Sequence, residues 1–160
     1  HLEKDHKVTI ITQNVDDLHE RAESSNVVHL HGELRKIRST GNENDIKNWT
    51  ENIHIGDTCL KGYQLRPHIV WFGEAVPMID TAINICDTAD ILLIIGTSMQ
   101  VYPAASLIDY VPIHVPIYYI DPKPAITNRP KVTVIAKSAT AGIKDFTTNL
   151  PQVLQQLQPD

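Results

Sequence analysis

Polar residues that can contact a ligand follow directly after three aliphatic runs. The amides of Gln13 and Asn14 and the carboxylate of Asp16 follow KVTII, the turn Gly96-Thr97-Ser98 follows ILLII, and Asp121 follows IYYI. A glycine beside hydroxyl groups admits a phosphate or a ribose, and an acidic residue at a strand end often holds a ribose hydroxyl. Each cluster alone also fits a helix cap or a plain turn. Together they predict a ligand site at one edge of a parallel sheet.

Two histidines, His29 and His31, are separated by one residue and so lie on one face of a strand. A metal pair is one interpretation, and a core histidine beside a lone polar residue is another. His31 precedes Gly32, where the strand must break, and no third ligand lies nearby in the sequence. These features favour an acid–base role for His31 over a metal site.

The elements that position these residues alternate between strands and helices. A helix is predicted over Met78–Ala89, and a second, interrupted at Pro151, is predicted near the C-terminus. This alternation indicates an α/β fold with a doubly wound parallel sheet. Strands are predicted at Lys7–Thr12, Asn26–Gly32, Ala89–Ser98, Val115–Asp121 and Lys131–Ala136.

The stretch from Arg35 to Gln64 differs from the rest because it is polar, rich in turn residues and poor in aliphatics. It is too long for an ordinary connection, so it forms either a small inserted lobe or a functional loop. Shortly after it, Trp71 and Phe72 either line a substrate slot or belong to the core.

Composition narrows the class of protein. The 160 residues are 42% hydrophobic and 21% charged, with a net charge of -5, which is typical of a globular domain and gives no basic face for nucleic acid. The longest aliphatic run, Ile91–Ile95, is too short for a membrane span. Two cysteines and no signal peptide argue against a disulfide framework. We therefore expect a cytoplasmic protein with no nucleic-acid or membrane partner.

Four motifs occur together in one order: TQNVDDLHERA, VVHLHGEL, RPHIVWFGE and GTSMQVYPAA. In order and approximate spacing they resemble the sirtuin family, and its bacterial class III branch in particular. The resemblance runs from about Val8 to the final helix.

The resemblance implies a Rossmann-like NAD-binding domain over residues 1–34 and 65–160, with a small zinc-type lobe inserted at 35–64. In such enzymes the catalytic base is a histidine that matches His31. The positions that match cofactor contacts are Gln13, Asn14, Val15, Asp16, Gly96, Thr97, Ser98, Tyr119, Ile120, Asp121 and Ala139. A strand that pairs with the acyl-lysine peptide matches Val70, Trp71, Phe72, Gly73 and Glu74, and Val101 begins a second peptide-clasping segment.

The implied activity is NAD-dependent deacylation of protein lysines, of the deacetylase or desuccinylase type. The acyl oxygen of the modified lysine attacks the nicotinamide ribose, and nicotinamide leaves. The histidine then takes a proton from a ribose hydroxyl, which attacks the imidate. The products are lysine, nicotinamide and O-acyl-ADP-ribose, and the partners are acyl-lysine proteins or peptides.

Three positions depart from the family pattern. The chain opens with His1 in a charged stretch, so we expect that the family's glycine-rich phosphate loop lies upstream and that the 160 residues alone have impaired activity. Ser39 stands where a zinc-ligating cysteine is expected, so Cys59 alone remains of the expected cysteines. We therefore do not expect the protein to bind zinc. Tyr119 stands where the family usually carries asparagine.

Two other functions are compatible with these residues. One is a binding module that keeps the WFGE edge or affinity for ADP-ribose without turnover. The other is a thiamine-enzyme or flavoprotein domain with a similar sheet, which the LHGEL and WFGE motifs disfavour.

Overall fold

A computed structural model describes residues 1–157 of the chain. They form two compact units, His1–Ala82 and the residues from Ile83 onward, and each unit is described by itself. Among residues 1–157, no helix is long and apolar enough to cross a bilayer.

The first unit begins with a short parallel pair of strands. A 3-10 turn at Leu2–Lys4 precedes β1 (Ile10–Thr12), the one-turn helix α1 (Leu18–Arg21) and β2 (Val27–His29). In the parallel pairing of β1 with β2, Ile10 lies opposite Val27 and Thr12 opposite His29. The end of β1 therefore lies beside the end of β2, and the polar residues that follow both strands are brought together.

The rest of the first unit is built on an antiparallel sheet in the order β4-β3-β5. Its strands are β3 (Gly32–Ser39), β4 (Asn42–Asn48) and β5 (Leu65–Ile69). Ile37, Cys59 and Leu65 form a buried cluster on this sheet, against which Trp49 and Ile53 pack.

Gly32, at the start of β3, is required by its backbone and by its surroundings. Its φ is +80°, and a Cβ there would lie 2.0 Å from the main-chain oxygen of His68 on β5. An L side chain is disfavoured at this φ, and the contact is with main chain that cannot move aside. Glycine therefore allows β3 to approach β5 directly after His31.

The second unit contains a three-stranded parallel sheet in the order β6-β7-β8. The chain enters it through α2 (Ile79–Asp87) and continues through β6 (Leu92–Ile95), a 3-10 helix (Ala104–Tyr110), β7 (Ile117–Ile120), β8 (Val132–Ile135) and α3 (Ala139–Leu157). Ile94, Ile108, Ile117 and Tyr119 form its buried cluster.

The helix α3 packs closely on β7. A Cβ at Gly142 would lie 2.2 Å from the Ile120 side chain, so this glycine permits the close approach. The rings of Tyr118 and Phe146 meet edge to face at 4.9 Å. These contacts cover one side of the parallel sheet.

The predicted α/β class with parallel strands is confirmed, and each predicted strand contains an observed one. The three polar clusters, however, do not follow strands of a single sheet as expected: β1 belongs to one parallel sheet, and β6 and β7 belong to another. The division into residues 1–34 with 65–160 and an inserted lobe at 35–64 stays a prediction.

Two further features differ from the sequence analysis. The antiparallel sheet was not predicted, because β4 reads NENDIKN and lacks the alternation of a half-buried strand. Pro151 was expected to kink or restart the last helix, but α3 runs through it without a new start. Leu150 and Val153 are buried on either side of Pro151, so packing of this face outweighs the loss of one main-chain hydrogen bond.

Candidate functional site

The polar segment after β1 is held by four hydrogen bonds to successive main-chain carbonyls. All four donors come from residues 29–34, and two of them are imidazole rings. The Thr12 carbonyl accepts from Leu30 N (2.9 Å), Gln13 from His31 Nδ1 (3.0 Å), Asn14 from His29 Nδ1 (3.2 Å) and Val15 from Leu34 N (2.7 Å). A segment without regular secondary structure is thereby fixed in one conformation.

His31 is oriented as a proton acceptor. A carbonyl oxygen can only accept a hydrogen bond, so the contact with Gln13 requires the proton on Nδ1. In the neutral ring Nε2 then carries the lone pair, and within residues 1–82 it has no hydrogen-bond partner. His31 is half-buried, and its main-chain carbonyl accepts a hydrogen bond from Val70 N at 2.9 Å. This arrangement supplies a fixed base beside the Gln13–Asp16 segment.

His29 is used differently, because both of its ring nitrogens are occupied. Nδ1 meets the Asn14 carbonyl, and Nε2 meets the Glu20 carboxylate at 2.7 Å. Burial lowers the pKa of His29, but the Glu20 and Asn14 hydrogen bonds outweigh it and the net pKa is raised. The hydrogen bond to His29 lowers the pKa of Glu20. His29 therefore offers no lone pair to a metal, and the two histidines do not act as a metal pair in this structure.

The two carboxylates that come next in the chain, Asp16 and Asp17, have different surroundings. Asp16 accepts Leu18 N at 3.1 Å through Oδ1 and is half-buried. Asp17 forms an ion pair with Arg35 Nε at 2.8 Å. The side chain of Asn14 is exposed at the same segment, while its main-chain N–H is bonded to Thr12 Oγ1 at 3.0 Å. Asn14 and Asp16 thus present an amide and a carboxylate oxygen beside the base, and Asp17 has a structural partner.

The predicted substrate-binding residues Val70–Glu74 form a turn, since β5 ends at Ile69. Their match to the strand that pairs with an acyl-lysine peptide stays a prediction, and the Glu74 carboxylate accounts for the turn. It accepts hydrogen bonds from Trp71 N at 3.0 Å, from both terminal nitrogens of Arg66 at 2.6 and 3.2 Å, and from Arg38 at 3.3 Å. These bonds fold residues 71–74 back onto the sheet.

The electrostatics of Glu74 follow from those contacts. The Arg66 hydrogen bond, followed by that from Trp71 N, lowers the pKa of Glu74 to about 2. Its carboxylate is engaged within the protein, while Trp71 and Phe72 are 56% and 97% exposed. Sequence reasoning missed Arg38 and Arg66 as residues that shape this edge. Arg66 within the RPHIVWFGE motif was the available signal.

The Ser39 and Cys59 side chains meet in the core beside the antiparallel sheet. Ser39 Oγ donates to Cys59 Sγ at 3.3 Å, and this bond lowers the pKa of the thiol. Structural zinc requires four thiolate or imidazole ligands, and among residues 1–157 no group of three or more His, Cys, Asp or Glu side chains is arranged to hold a metal. These residues do not fit a structural zinc.

In the second unit, Gly96-Thr97-Ser98 forms a turn directly after β6. Gly96 has a φ of +62°, and its N–H is bonded to the Ile120 carbonyl at 3.0 Å. The Tyr119 hydroxyl donates to the Thr97 carbonyl at 2.8 Å and accepts Ala125 N at 3.3 Å. A Cβ built on Gly96 meets no atom within 4 Å, and the side chain of Ser98 is exposed. Hydrogen bonds to the main chain hold the turn in place, while Gly96 and Ser98 are exposed.

The remaining predicted cofactor residues of this unit differ in what they expose. Tyr119 and Ile120 are fully buried, so their side chains support the site from within the core rather than facing a ligand. Asp121 lies half-buried at the end of β7 and accepts Lys123 N at 2.7 Å. Ala139 is the first residue of α3, and both it and Val101 are exposed.

The polar groups of each unit, taken by itself, suit contacts with part of a dinucleotide. Asp16 and Asp121 offer carboxylate oxygens for hydroxyl groups, Asn14 offers an amide, and the open turn at Gly96 lets main chain approach a phosphate or ribose. Thus the residues present in each unit fit NAD.

Comparison with known proteins agrees with this chemistry. The Sir2 family model matches residues 1–103. An NAD-dependent protein deacylase of Bacteroides thetaiotaomicron is 50% identical over 152 residues, covering 91% of this chain and 65% of that protein. One of Helicobacter pylori is 50% identical over 150 residues, covering 93% and 66%. The chain thus spans about two thirds of the length of these curated relatives.

Solved structures give the same result. A mutant Sir2 homologue in complex with ADP-ribose matches with a TM-score of 0.78 and 37% identity, over 96% of this chain and 63% of that one. A Sir2 homologue in complex with NAD matches with a TM-score of 0.78 and 37% identity, over 92% and 59%.

Proposed function

Because the chain belongs to the Sir2 family, we propose that the protein containing it is an NAD-dependent deacylase of acyl-lysine proteins or peptides. The observation that carries the proposal is the orientation of His31. Its Nδ1 donates to the Gln13 carbonyl at 3.0 Å, which leaves Nε2 as the base at the end of β2, next to Asn14 and Asp16.

The residues of the first unit divide the chemistry between them. When bound, NAD would supply the ribose carbon to which the acyl oxygen bonds as nicotinamide departs. Asn14 and Asp16 would place dipolar and negative groups that favour the positive charge developing on that ribose. His31 Nε2 would accept the proton of a ribose hydroxyl. The main-chain bond at Nδ1 keeps the ring from turning during proton transfer.

The residues of the second unit bind rather than react. Gly96, Thr97 and Ser98 offer an open turn for the cofactor, held by the Tyr119 hydroxyl. Asp121 is the acceptor for a ribose hydroxyl of the adenosine half. Ile120 and Ala139 border that half, with Ala139 at the start of α3.

The acyl-lysine peptide is assigned to the edge formed by Val70–Glu74. Trp71 and Phe72 are exposed there on a turn that Glu74 holds in place. Exposed main chain and aromatic side chains suit an extended peptide. Val101, also exposed, is assigned to the start of a second peptide-clasping segment. We place the protein in the cytoplasm, without a nucleic-acid or membrane partner.

The test is release of nicotinamide from NAD that depends on an acetyl-lysine or succinyl-lysine peptide. It is run on the longest form of the protein that carries this chain and, in parallel, on residues 1–160. Release that requires the acyl group, with formation of O-acyl-ADP-ribose, supports the proposal. Binding of NAD or peptide without release favours the alternative, a binding module that retains the exposed Trp71–Phe72 edge.

A further inference from the structure

His29 is held between two acceptors at the end of β2. Its side chain is 8% exposed, its Nδ1 lies 3.2 Å from the Asn14 carbonyl, and its Nε2 lies 2.7 Å from Glu20 Oε1. A carbonyl and a carboxylate both accept, so both ring nitrogens donate, and the ring has the imidazolium form. Such a charge is stable at so buried a position because it is paired.

The two contacts of His29 join the polar segment after β1 to the helix that follows it. Asn14 lies inside it, and Glu20 lies on α1 (Leu18–Arg21), immediately after it. One ring therefore ties the start of the segment and the helix that follows it to the same point on β2. The peptide plane that carries the Asn14 carbonyl is also the one that leads to Val15 and Asp16.

The part of the segment around Asn14 and Asp16 has no helix or strand of its own between Thr12 and Leu18. Besides the carbonyl bonds, Asn14 N contacts Thr12 Oγ1 and Asp16 Oδ1 accepts Leu18 N, while Asp17 forms an ion pair with Arg35. Asn14 and Asp16 are the residues assigned to the nicotinamide ribose, so their orientation depends on what holds this peptide plane.

We propose that His29 is a positioning residue for the reaction, which acts through the Asn14 carbonyl to hold Asn14 and Asp16 in their working orientation. This inference rests on the proposed function. His29 does not touch the reacting atoms itself. Its contribution differs from that of His31, which uses the same kind of carbonyl contact but keeps Nε2 for the proton.

Two isosteric variants separate the contacts of His29. In His29→Asn the amide nitrogen stands in place of Nδ1 and donates to the Asn14 carbonyl, but the side chain is too short to reach Glu20. In His29→Gln the amide reaches toward Glu20 and leaves the Asn14 carbonyl without its donor. Both variants remove the ring and its charge, so the difference between them compares the effect of the carbonyl contact with that of the Glu20 contact.

The first readout is hydrogen exchange, which does not require turnover. We expect the amides of residues 13–18 to exchange faster in His29→Gln than in His29→Asn, while those of the β3–β5 sheet stay as in the wild type. Equal exchange at residues 13–18 in the two variants would overturn the proposal. If both variants lose protection in the β3–β5 sheet, Glu20→Ala is the substitute, because it removes one acceptor and leaves the Asn14 contact. In Glu20→Ala, hydrogen exchange must then become faster at residues 18–21 and stay unchanged at residues 13–15.

The second readout is kinetic, and it uses the same variants in the nicotinamide-release assay. A displacement of about 1 Å in a positioned group costs roughly a hundredfold in rate. We therefore expect kcat to fall by about tenfold to a hundredfold in His29→Gln and by clearly less in His29→Asn, with KM for the peptide unchanged in both. Equal kcat values in the two variants contradict the proposal. A wild type without release refutes the proposed function instead, and hydrogen exchange alone then decides the role of His29.

Discussion

The imidazole of His31 and the main-chain carbonyl of Gln13 are joined by a hydrogen bond of 3.0 Å, which fixes the nitrogen that is basic. Replacing the ring by an amide keeps this bond and removes the base, because the Asn amide nitrogen can stand in place of Nδ1.

We predict that His31→Asn folds with the stability of the wild type but loses about a hundredfold to ten-thousandfold in kcat for deacylation. Peptide binding is expected to survive, because the turn at Trp71–Glu74 does not use the His31 ring. Melting curves, peptide titration and deacylation rates measure the three quantities. Near-normal turnover would mean that His31 has a structural role alone.

The second prediction concerns acid. The pKa of Glu74 is lowered from 4.5 to about 2 by its arginine and Trp71 contacts, so its carboxylate stabilises the fold fully above pH 4.5. This stabilisation is lost as the pH falls from 4.5 towards 2. We expect Glu74→Gln to lower the free energy of unfolding at neutral pH and to flatten its decline over this window. The control is Glu43→Gln on exposed β4, which should keep the wild-type pH dependence.

Loss of the Glu74 carboxylate should also affect the edge it holds. In Glu74→Gln a single oxygen remains as acceptor for Trp71 N and the arginines, so the Trp71–Gly73 turn is held less firmly and its aromatic residues become less ordered. A weaker affinity for the acyl-lysine peptide, with unchanged binding of NAD, is the expected result by calorimetry. An unchanged peptide affinity would show that this turn is not the peptide site.

The third prediction uses two glycines with the same backbone and different surroundings. Gly32 and Gly62 have φ values of +80° and +82°, but a Cβ meets the His68 carbonyl at 2.0 Å in the first and no atom within 4 Å in the second. Gly62→Ala should cost only the backbone strain, about 1–3 kcal/mol. Gly32→Ala should cost distinctly more, because β3 and β5 must separate. Denaturant unfolding of both variants measures the difference, and equal costs would contradict the close approach.

The fourth prediction concerns the anchor of the Gly96 turn. Tyr119→Phe removes a buried hydroxyl that bonds the Thr97 carbonyl and Ala125 N, at a cost of about 1–3 kcal/mol. Tyr118→Phe is the matched control, since it retains the ring contact with Phe146. We expect thermal stability and NAD affinity to fall in the first variant and to stay close to the wild type in the second. Equal effects would argue against the anchoring role of Tyr119.

The fifth prediction is that the purified protein carries no stoichiometric zinc. Cys59 accepts a hydrogen bond from Ser39 where a metal site would need a second thiolate, and His54 is an exposed side chain 3.6 Å from Asp57. Elemental analysis after dialysis against a chelator measures the amount of zinc per chain. One zinc per chain would require ligands or a rearrangement that these side chains do not provide.

Aliphatic runs made the parallel strands predictable, because a strand that is buried on both faces needs little polar alternation. β4 escaped prediction for the opposite reason: Ile46 is its sole aliphatic residue, and main-chain pairing with β3 holds it. The role proposed for His31 could be predicted from its place before Gly32. The role proposed for His29 could not, since its partner Glu20 is nine residues away on a helix of four residues.

The carbonyl contacts of residues 12–15 also bear on the order in which the protein folds. The two imidazole bonds connect residues 15 and 18 positions apart in the chain. Closing loops of this length costs little entropy and proceeds quickly compared with long-range strand pairing. The β1–β2 pair can consequently form together with the polar segment and His31 as one local cooperative unit. We expect this unit to form before the residues after Leu34 fold. During refolding, we expect this part of the chain to acquire protection from hydrogen exchange before the antiparallel sheet does.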